Sequence, residues 1–284
     1  MNLREQTFGI EIETVGATRE AVAGAVHTVV GGTLRGTEVT DRQGRTWKVV
    51  RDGSLANGGA EVVSPILRYP DLEELQAVVR AIRACGAKAD ASCGIHVHVG
   101  AQPHTARSLA NLAKQVNKNE ALLVAGLQVL PNRQGRYARL VDQTFLGRIV
   151  ARAPRTLDEL NTAWYGFHNP SPTHYDQTRY HGLNLHNVWY RGTVEFRWFN
   201  GTLHAGKVKA YVQLCLAISA KALKSRSASH APKPVAGSAK YDLRVWLLNL
   251  GLIGDEFKTA RLHLTQHLAG SAAWKHGRPQ AAAA

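Results

Sequence analysis

Apolar and polar residues alternate from the start of the chain. In Phe8-Gly9-Ile10-Glu11-Ile12-Glu13, Phe8, Ile10 and Ile12 share one face and Glu11 and Glu13 the other, which is the period of a β-strand. Thr46 to Val50 reads as a second strand, with Asp52-Gly53 and Asn57-Gly58-Gly59 as turns, and Glu61 to Ser64 runs as a third toward Pro65. The pattern then becomes helical. Asp71 with Glu74 has the spacing of a capping box, Leu72, Leu75, Val79 and Ile82 form a stripe, and Gly86 can end the helix. Gly94 to Gly100 returns to strand, with Ile95, Val97 and Val99 on one face and His96 and His98 on the other. A long helix is expected from about Thr105 through Leu109, Leu112, Val116, Leu123 and Leu127, and another begins near Thr156 and Glu159.

Beyond the Asn169–Pro172 loop, strands are expected around Leu183–His186 and Thr193–Asn200, then an amphipathic helix over Lys207–Lys224 using Val208, Val212, Cys215 and Leu223. Residues 225–240 read as an exposed linker, 241–270 as a small helical unit on Leu243, Trp246, Leu247 and Leu250, and 271–284 as a tail. Strands interrupted irregularly by helices point to an α+β fold, with residues 1–224 as its main unit.

Composition narrows the function. With 44% hydrophobic and 20% charged residues, 284 residues can bury a substantial core, and no apolar run reaches the length of a membrane span. MNLREQTFGIEIET carries no apolar signal-peptide segment, and three cysteines make no disulfide framework, so a reducing, cytoplasmic setting is expected. The net charge of +14 is uneven. Residues 1–75 hold 11 of the 21 acids and 8 of the 35 bases, a net −3, which leaves +17 on the remainder. Such a body suits phosphates, whether of a nucleotide or of a polymer.

Three expected strands each carry a polar pair two residues apart in an apolar frame: Glu11/Glu13, His96/His98 and Glu195/Arg197. If the strands share a sheet whose apolar face packs on helices, the opposite face collects all six side chains. Carboxylates with one imidazole suit Mg²⁺ or Mn²⁺ better than a zinc cage. Taken singly, each pair also reads as a solvated strand face or a same-strand ion pair. Arg179 could serve a phosphate or the surface, and Asn184 and His186 would share a strand face toward a cleft. Cys93 reads as a packed residue, and Arg133, Arg136 and Arg139 as one solvated helix face, with polymer or phosphate binding second. The residues alone leave open a metal-dependent hydrolase or nuclease using the Glu/His set and a non-catalytic nucleic-acid binder.

Several motifs occur in order: Phe8-Gly-Ile-Glu-Ile-Glu13, Asp52-Gly-Ser54, Glu61-Val-Val-Ser64-Pro65, Cys93-Gly-Ile-His-Val-His-Val99, Arg179-Tyr180, Leu183-Asn184-Leu185 and Val194-Glu-Phe-Arg-Trp-Phe-Asn200-Gly-Thr202. Over about residues 7–223 the chain resembles the amidoligase family, carboxylate–amine ligases related to glutamine synthetase and glutamate–cysteine ligase. The resemblance implies a curved antiparallel sheet backed by helices, of the glutamine synthetase catalytic type, with ATP and divalent metals (Mg²⁺ or Mn²⁺) on its concave face. It implies Glu11, His96 and Glu195 as ligands of a metal near the ATP phosphates, and Glu13 and Glu61 as ligands of one near the acyl substrate. His98 would touch ATP phosphate, Arg197 the transferred phosphoryl group, and Arg179 would add positive charge there. Asp52, Ser64, Asn184, His186 and Asn200 are candidate substrate contacts. The implied partners are ATP, a carboxylate substrate and an amine substrate, which could be a peptide or another anionic polymer. A membrane is not implied, and nucleic acid is not required.

Overall fold

The computed structural model describes residues 1–53, 55, 59–235 and 237–277. Ser54 and residues 57–58, which belong to the expected turns, lie outside them. The described residues form nine strands and ten α-helices. The strands are β1 (Thr7–Thr14), β2 (Thr33–Arg35), β3 (Glu38–Thr40), β4 (Thr46–Arg51), β5 (Ala60–Val63), β6 (Leu67–Arg68), β7 (Gly94–Gly100), β8 (Leu183–Asn184) and β9 (Thr193–Asn200). They build one open antiparallel sheet in the order β2-β3-β4-β5-β1-β7-β9-β8, with β6 pairing the start of β1. The chain is thus mixed α/β with a large antiparallel sheet.

β5 and β6 pair with the same edge of β1, one on either side of a break at Pro65, which has no N–H to give to a ladder. Ser64 carries the pairing to this break: its backbone N–H donates to Ile10 O, and its hydroxyl accepts from Ile10 N at 2.9 Å.

The apolar residues of β1, β7 and β9 are buried against helices on one face. α1 (Arg19–Val30) packs on β4 and β5, α8 (Ala205–Lys224) on β7, and α3 (Ala106–Leu127) on β9. α2 (Leu72–Ala84) sits between α1 and α8. α8 is buried on almost every side, as a helix must be when it contacts a sheet and helices on both flanks. α9 (Ala239–Asn249) and α10 (Lys258–Thr265) pack on α3, and α10 also on α8, and their buried residues join the same core. The segment between α8 and α9 is tied down at intervals: Asn111 donates to Ser225 O and Asn117 to His230 O, both at 2.8 Å. Among the described residues, no helix is long and apolar enough to cross a membrane.

Two local expectations need correction. Asp71 does not cap α2: its backbone is already helical, and a short 3₁₀ turn over Tyr69–Asp71 precedes the helix. Asp71 instead accepts the Arg68 N–H at 2.6 Å at the start of that turn, and Asp71 and Glu74 receive Arg45 at 3.1 and 3.2 Å, with Asp41 as its third carboxylate at 2.8 Å, which fastens the β3–β4 turn to α2. The strand expected over Leu183–His186 stops at Asn184, and His186 opens the short helix α7 (His186–Tyr190). The Asn184 side chain causes the turn by accepting from the His186 backbone N–H at 2.8 Å.

A buried polar node joins three elements. His104, just before α3, bonds the hydroxyls of Ser108 at 3.0 Å and of Ser219 on α8 at 2.8 Å, and Ser219 donates to Gln6 ahead of β1. Burial lowers the His104 imidazole to about 4. The unfolded imidazole titrates higher, near 6.5. The stability carried by neutral His104 is therefore complete above about 6.5 and is lost as pH falls through about 4. His104→Gln, which keeps polar atoms but cannot titrate, is expected to flatten this part of the pH–Tm profile. Thermal melts of the two proteins over that window check it, and parallel profiles would refute it.

Candidate active site

Register brings the charged pairs together. β1 lies between β5 and β7, and β7 between β1 and β9, so the three pair-bearing strands are neighbours. Across the ladders, Glu13 opposes Glu61, Glu11 opposes His96, His98 opposes Glu195, and Glu195 opposes Asn184. The face away from the helices therefore carries four carboxylates, two imidazoles and Arg197.

β9 contains a bulge. Ile95 pairs with Phe199 and Val97 with Phe196, so Arg197 and Trp198 together oppose His96. Arg197 stays on the charged face. The Trp198 indole donates to Glu120 of α3 at 3.2 Å, and Phe199 regains the core and stacks on Tyr211 of α8. Without the extra residue, strict alternation would turn Phe199 toward the carboxylates. Gly182 makes room for this indole, because a Cβ there would collide with it. Burial pushes the Glu120 carboxyl up to about 7, although Val141 N–H and the Trp198 indole both donate to it.

His96 lies at the centre. Its Nδ1 is 2.9 Å from Glu11 and 3.8 Å from Glu195, and its Nε2 is 3.6 Å from Glu13. Two groups result, Glu11–His96–Glu195 and Glu13–Glu61–His96, each with ligand atoms within 4.8 Å of one another. Each offers two carboxylates and one imidazole, a donor set that fits a divalent cation preferring oxygen ligands. Other side chains hold these ligands in place. Asn184 and Asn187 each donate to Glu195 at 2.6 Å, Arg197 pairs with its other oxygen, and Gly94 N–H donates to Glu13.

Electrostatics separate the carboxylates. Burial would raise Glu11, but His98 and His96 outweigh it and hold its carboxyl well below the usual range. Burial likewise opposes ionisation of Glu195, and Arg197, His98 and His96 bring it down to about 2. His98 is raised in return: burial disfavours its charge, but Glu11 and Glu195 favour it more. At Glu61 only Arg191 opposes the rise, and burial followed by Glu11, Glu13 and Asp52 outweighs it and pushes the carboxyl up to about 9.

Glu11, Glu13, Glu61, His96 and Arg197 floor a cleft of about 440 Å³ that is also lined by Asp52, Arg51, Arg133, Arg179, Arg191 and Tyr137, whereas His98 and Glu195 are buried and do not line it. Arg179 donates to His174 O at 2.7 Å and forms part of the wall. Ser64, Asn184, His186 and Asn200 do not line it. Asn200 bonds Leu130 N–H and Gln128 O, while His186 bonds the Tyr165 hydroxyl at 2.7 Å. Cys93 is buried, and burial pushes its thiol up to about 11.

Arg133 corrects the expectation of a solvated arginine face. α4 (Pro131–Arg136) ends before Arg139, and Arg133 is only 3% exposed. Its guanidinium donates to Arg197 O at 3.2 Å and rests over Gly94, where any Cβ would collide with it. Arg139 instead clamps the Gln177 and Tyr180 carbonyls. Arg191 was also missed: it reaches Glu11 at 3.3 Å from the α7–β9 turn. The only local sign of Arg133 was the bare glycine Gly94, and nothing local marked Arg191.

A model of the family described as "putative amidoligase enzyme" matches residues 4–219, about three quarters of the chain. The chain belongs to this amidoligase family. No curated protein matches the sequence. The amidoligase match spans β1 through most of α8, so it covers every residue named in the cleft and leaves α9 and α10 outside.

In metal-free protein the raised Glu61 carboxyl has a stability consequence. The unfolded group ionises near 4.5, whereas the native one keeps its proton up to about 9. Wild type therefore loses stability relative to Glu61→Gln as pH rises across this interval, and the two converge below it. Chelator-treated melts from acid to alkaline pH should show the glutamine variant gaining steadily. A constant offset would refute the assignment.

Proposed function

We propose that the protein is an ATP- and divalent-metal-dependent carboxylate–amine ligase that works through an acyl phosphate. Membership of the amidoligase family gives the class of enzyme, for which carboxylate and amine substrates are implied in general. The observation that carries the finer reading is the pair of carboxylate clusters sharing His96, set in a cleft that five arginines help to line. The clusters divide as a two-cation site would, with Glu11 and Glu195 on one side of the imidazole and Glu13 and Glu61 on the other. The reading carries with it a sheet of the glutamine synthetase catalytic kind, with residues 1–224 as the catalytic unit.

Joining a carboxylate to an amine in water is uphill, so the carboxylate must first be activated. A substrate carboxylate oxygen attacks the γ-phosphorus of ATP and ADP departs, leaving a mixed anhydride. The amine nitrogen then attacks the acyl carbon, phosphate leaves, and the proton lost from nitrogen passes to a base. Phosphoryl transfer of this kind needs positioning and charge stabilisation more than covalent help. Cations held by the two clusters would supply neutralisation of phosphate charge. Arg197, fixed by Glu195 and by the Tyr137 carbonyl at 3.3 Å, presents a rigid positive charge to the phosphoryl group. His98, whose charged form Glu11 and Glu195 favour against burial, stands behind these ligands, and Arg179 and Arg133 extend the positive wall.

ADP release, screened over paired acids and amines with mass spectrometry of the product, tests the reading. Turnover is expected to require both substrates and to stop with chelator. Glu13→Ala is expected to lower it at least about 100-fold. Cleavage of a phosphoester or amide without ATP would overturn the ligase in favour of a hydrolase built on the same cluster.

A further inference from the structure

A second cavity, of about 470 Å³, shares no lining residue with the Glu/His cleft. It lies between α3, the end of α5 (Gln143–Arg152) and the chain just after α8. Arg107 and Lys114 of α3, Arg155 and Arg226 line it, and no acidic residue does. Arg107 and Lys114 are seven residues apart, two helical turns, and so share one face. Asn111 between them donates to Ser225 O at 2.8 Å, which draws Arg226 toward the same face. Beyond Arg152, Ala153 takes a left-handed backbone (φ 44°) and Pro154 follows, turning the chain so that Arg155 joins the ring. Ile149 and Pro154 are buried and make its floor apolar.

None of these four cations is in an ion pair among the described residues, whereas Arg45, Arg191, Arg197 and Lys233 all are. Glu159 accepts from the Arg155 backbone N–H, not from its guanidinium. Four like charges around one hollow repel, an arrangement that an anion of more than one charge relieves. The geometry points to a binding site for a phosphate-bearing small molecule with a compact aliphatic body. Three guanidinium forks match phosphate oxygens, and the hollow has the volume of a small-ligand site. The cations converge from three chain segments around a cavity instead of running in a stripe, and no aromatic side chain lines it for base stacking. A nucleic-acid track would want both.

The test is calorimetric titration of the full chain with pyrophosphate and with glycerol 3-phosphate. Three proteins are compared: wild type, Arg107→Gln/Arg226→Gln, and a control, Arg35→Gln/Arg80→Gln, which removes two exposed arginines elsewhere. Any binding in the Glu/His cleft persists in all three. One binding event is expected to weaken about tenfold or more in the first variant only. Both anions should also raise the wild-type Tm more than that of this variant. Unchanged binding in the Arg107/Arg226 variant, or equal loss in the control, overturns the proposal. So does displacement of pyrophosphate by a single-stranded oligonucleotide or by phosphatidic-acid vesicles but not by glycerol 3-phosphate, since the phosphate would then belong to a polymer or a lipid surface.

Discussion

Four carboxylates crowd one face of the central sheet, and the structure around them is organised to tolerate it. Glu11, Glu13 and Glu195 sit beside His96, and the second imidazole, His98, lies between Glu11 and Glu195. Buried like charges of this kind cannot all ionise unless positive charge or hydrogen-bond donors reach them. Arg197, Asn184 and Asn187 meet that need at Glu195, His98 and Arg191 at Glu11, and the Gly94 N–H at Glu13. At Glu61 the charge of Arg191 is outweighed, and the carboxyl holds its proton to about 9. A site so arranged is poised to exchange that proton for a cation, which links the folding electrostatics to the proposed chemistry.

The bulge in β9 is what lets a charged face and a dense core coexist on one strand. Glu195 and Arg197 lie on the charged face, whereas Phe196, Trp198 and Phe199 are buried in the core. Two consecutive large aromatics cannot both face a core in a regular strand, so one residue must fall out of register. The displaced Trp198 is received by Glu120 and the bare backbone of Gly182, and the Arg197 backbone N–H bonds Gly182 O at 2.8 Å. Through these contacts α3 and the chain entering β8 position the arginine of the cleft.

The surplus positive charge divides among distinct tasks. Arg133, Arg179, Arg191 and Arg197 line the cleft, and Arg139 closes backbone carbonyls of the cleft wall. Arg45 joins a turn to a helix. Arg107, Lys114, Arg155 and Arg226 surround a separate hollow. These ten of the 35 basic side chains thus have internal or concave places.

Strand periodicity, read along the chain, was enough to find β1, β7 and β9 and to assign Glu11, Glu13, His96, His98, Glu195 and Arg197 to one face, because side-chain direction in a strand follows from local geometry. Helical stripes likewise found α2, α3 and α8. Adjacency was another matter: that Glu13 stands against Glu61 and Glu11 against His96 depends on the register of strands distant in sequence, which no local period encodes. The Asp71–Glu74 spacing suggested a cap of α2, yet Asp71 takes the Arg68 N–H of the preceding turn and both carboxylates also receive Arg45. His186 left its strand because the Asn184 side chain took its N–H. Arg133 looked like surface because a buried cation is recognisable only from what encloses it, here Gly94, Glu13 and the Arg197 carbonyl. Local pattern governs which way a side chain points. Long-range packing governs what it meets, and burial and charge at the meeting point set its chemistry.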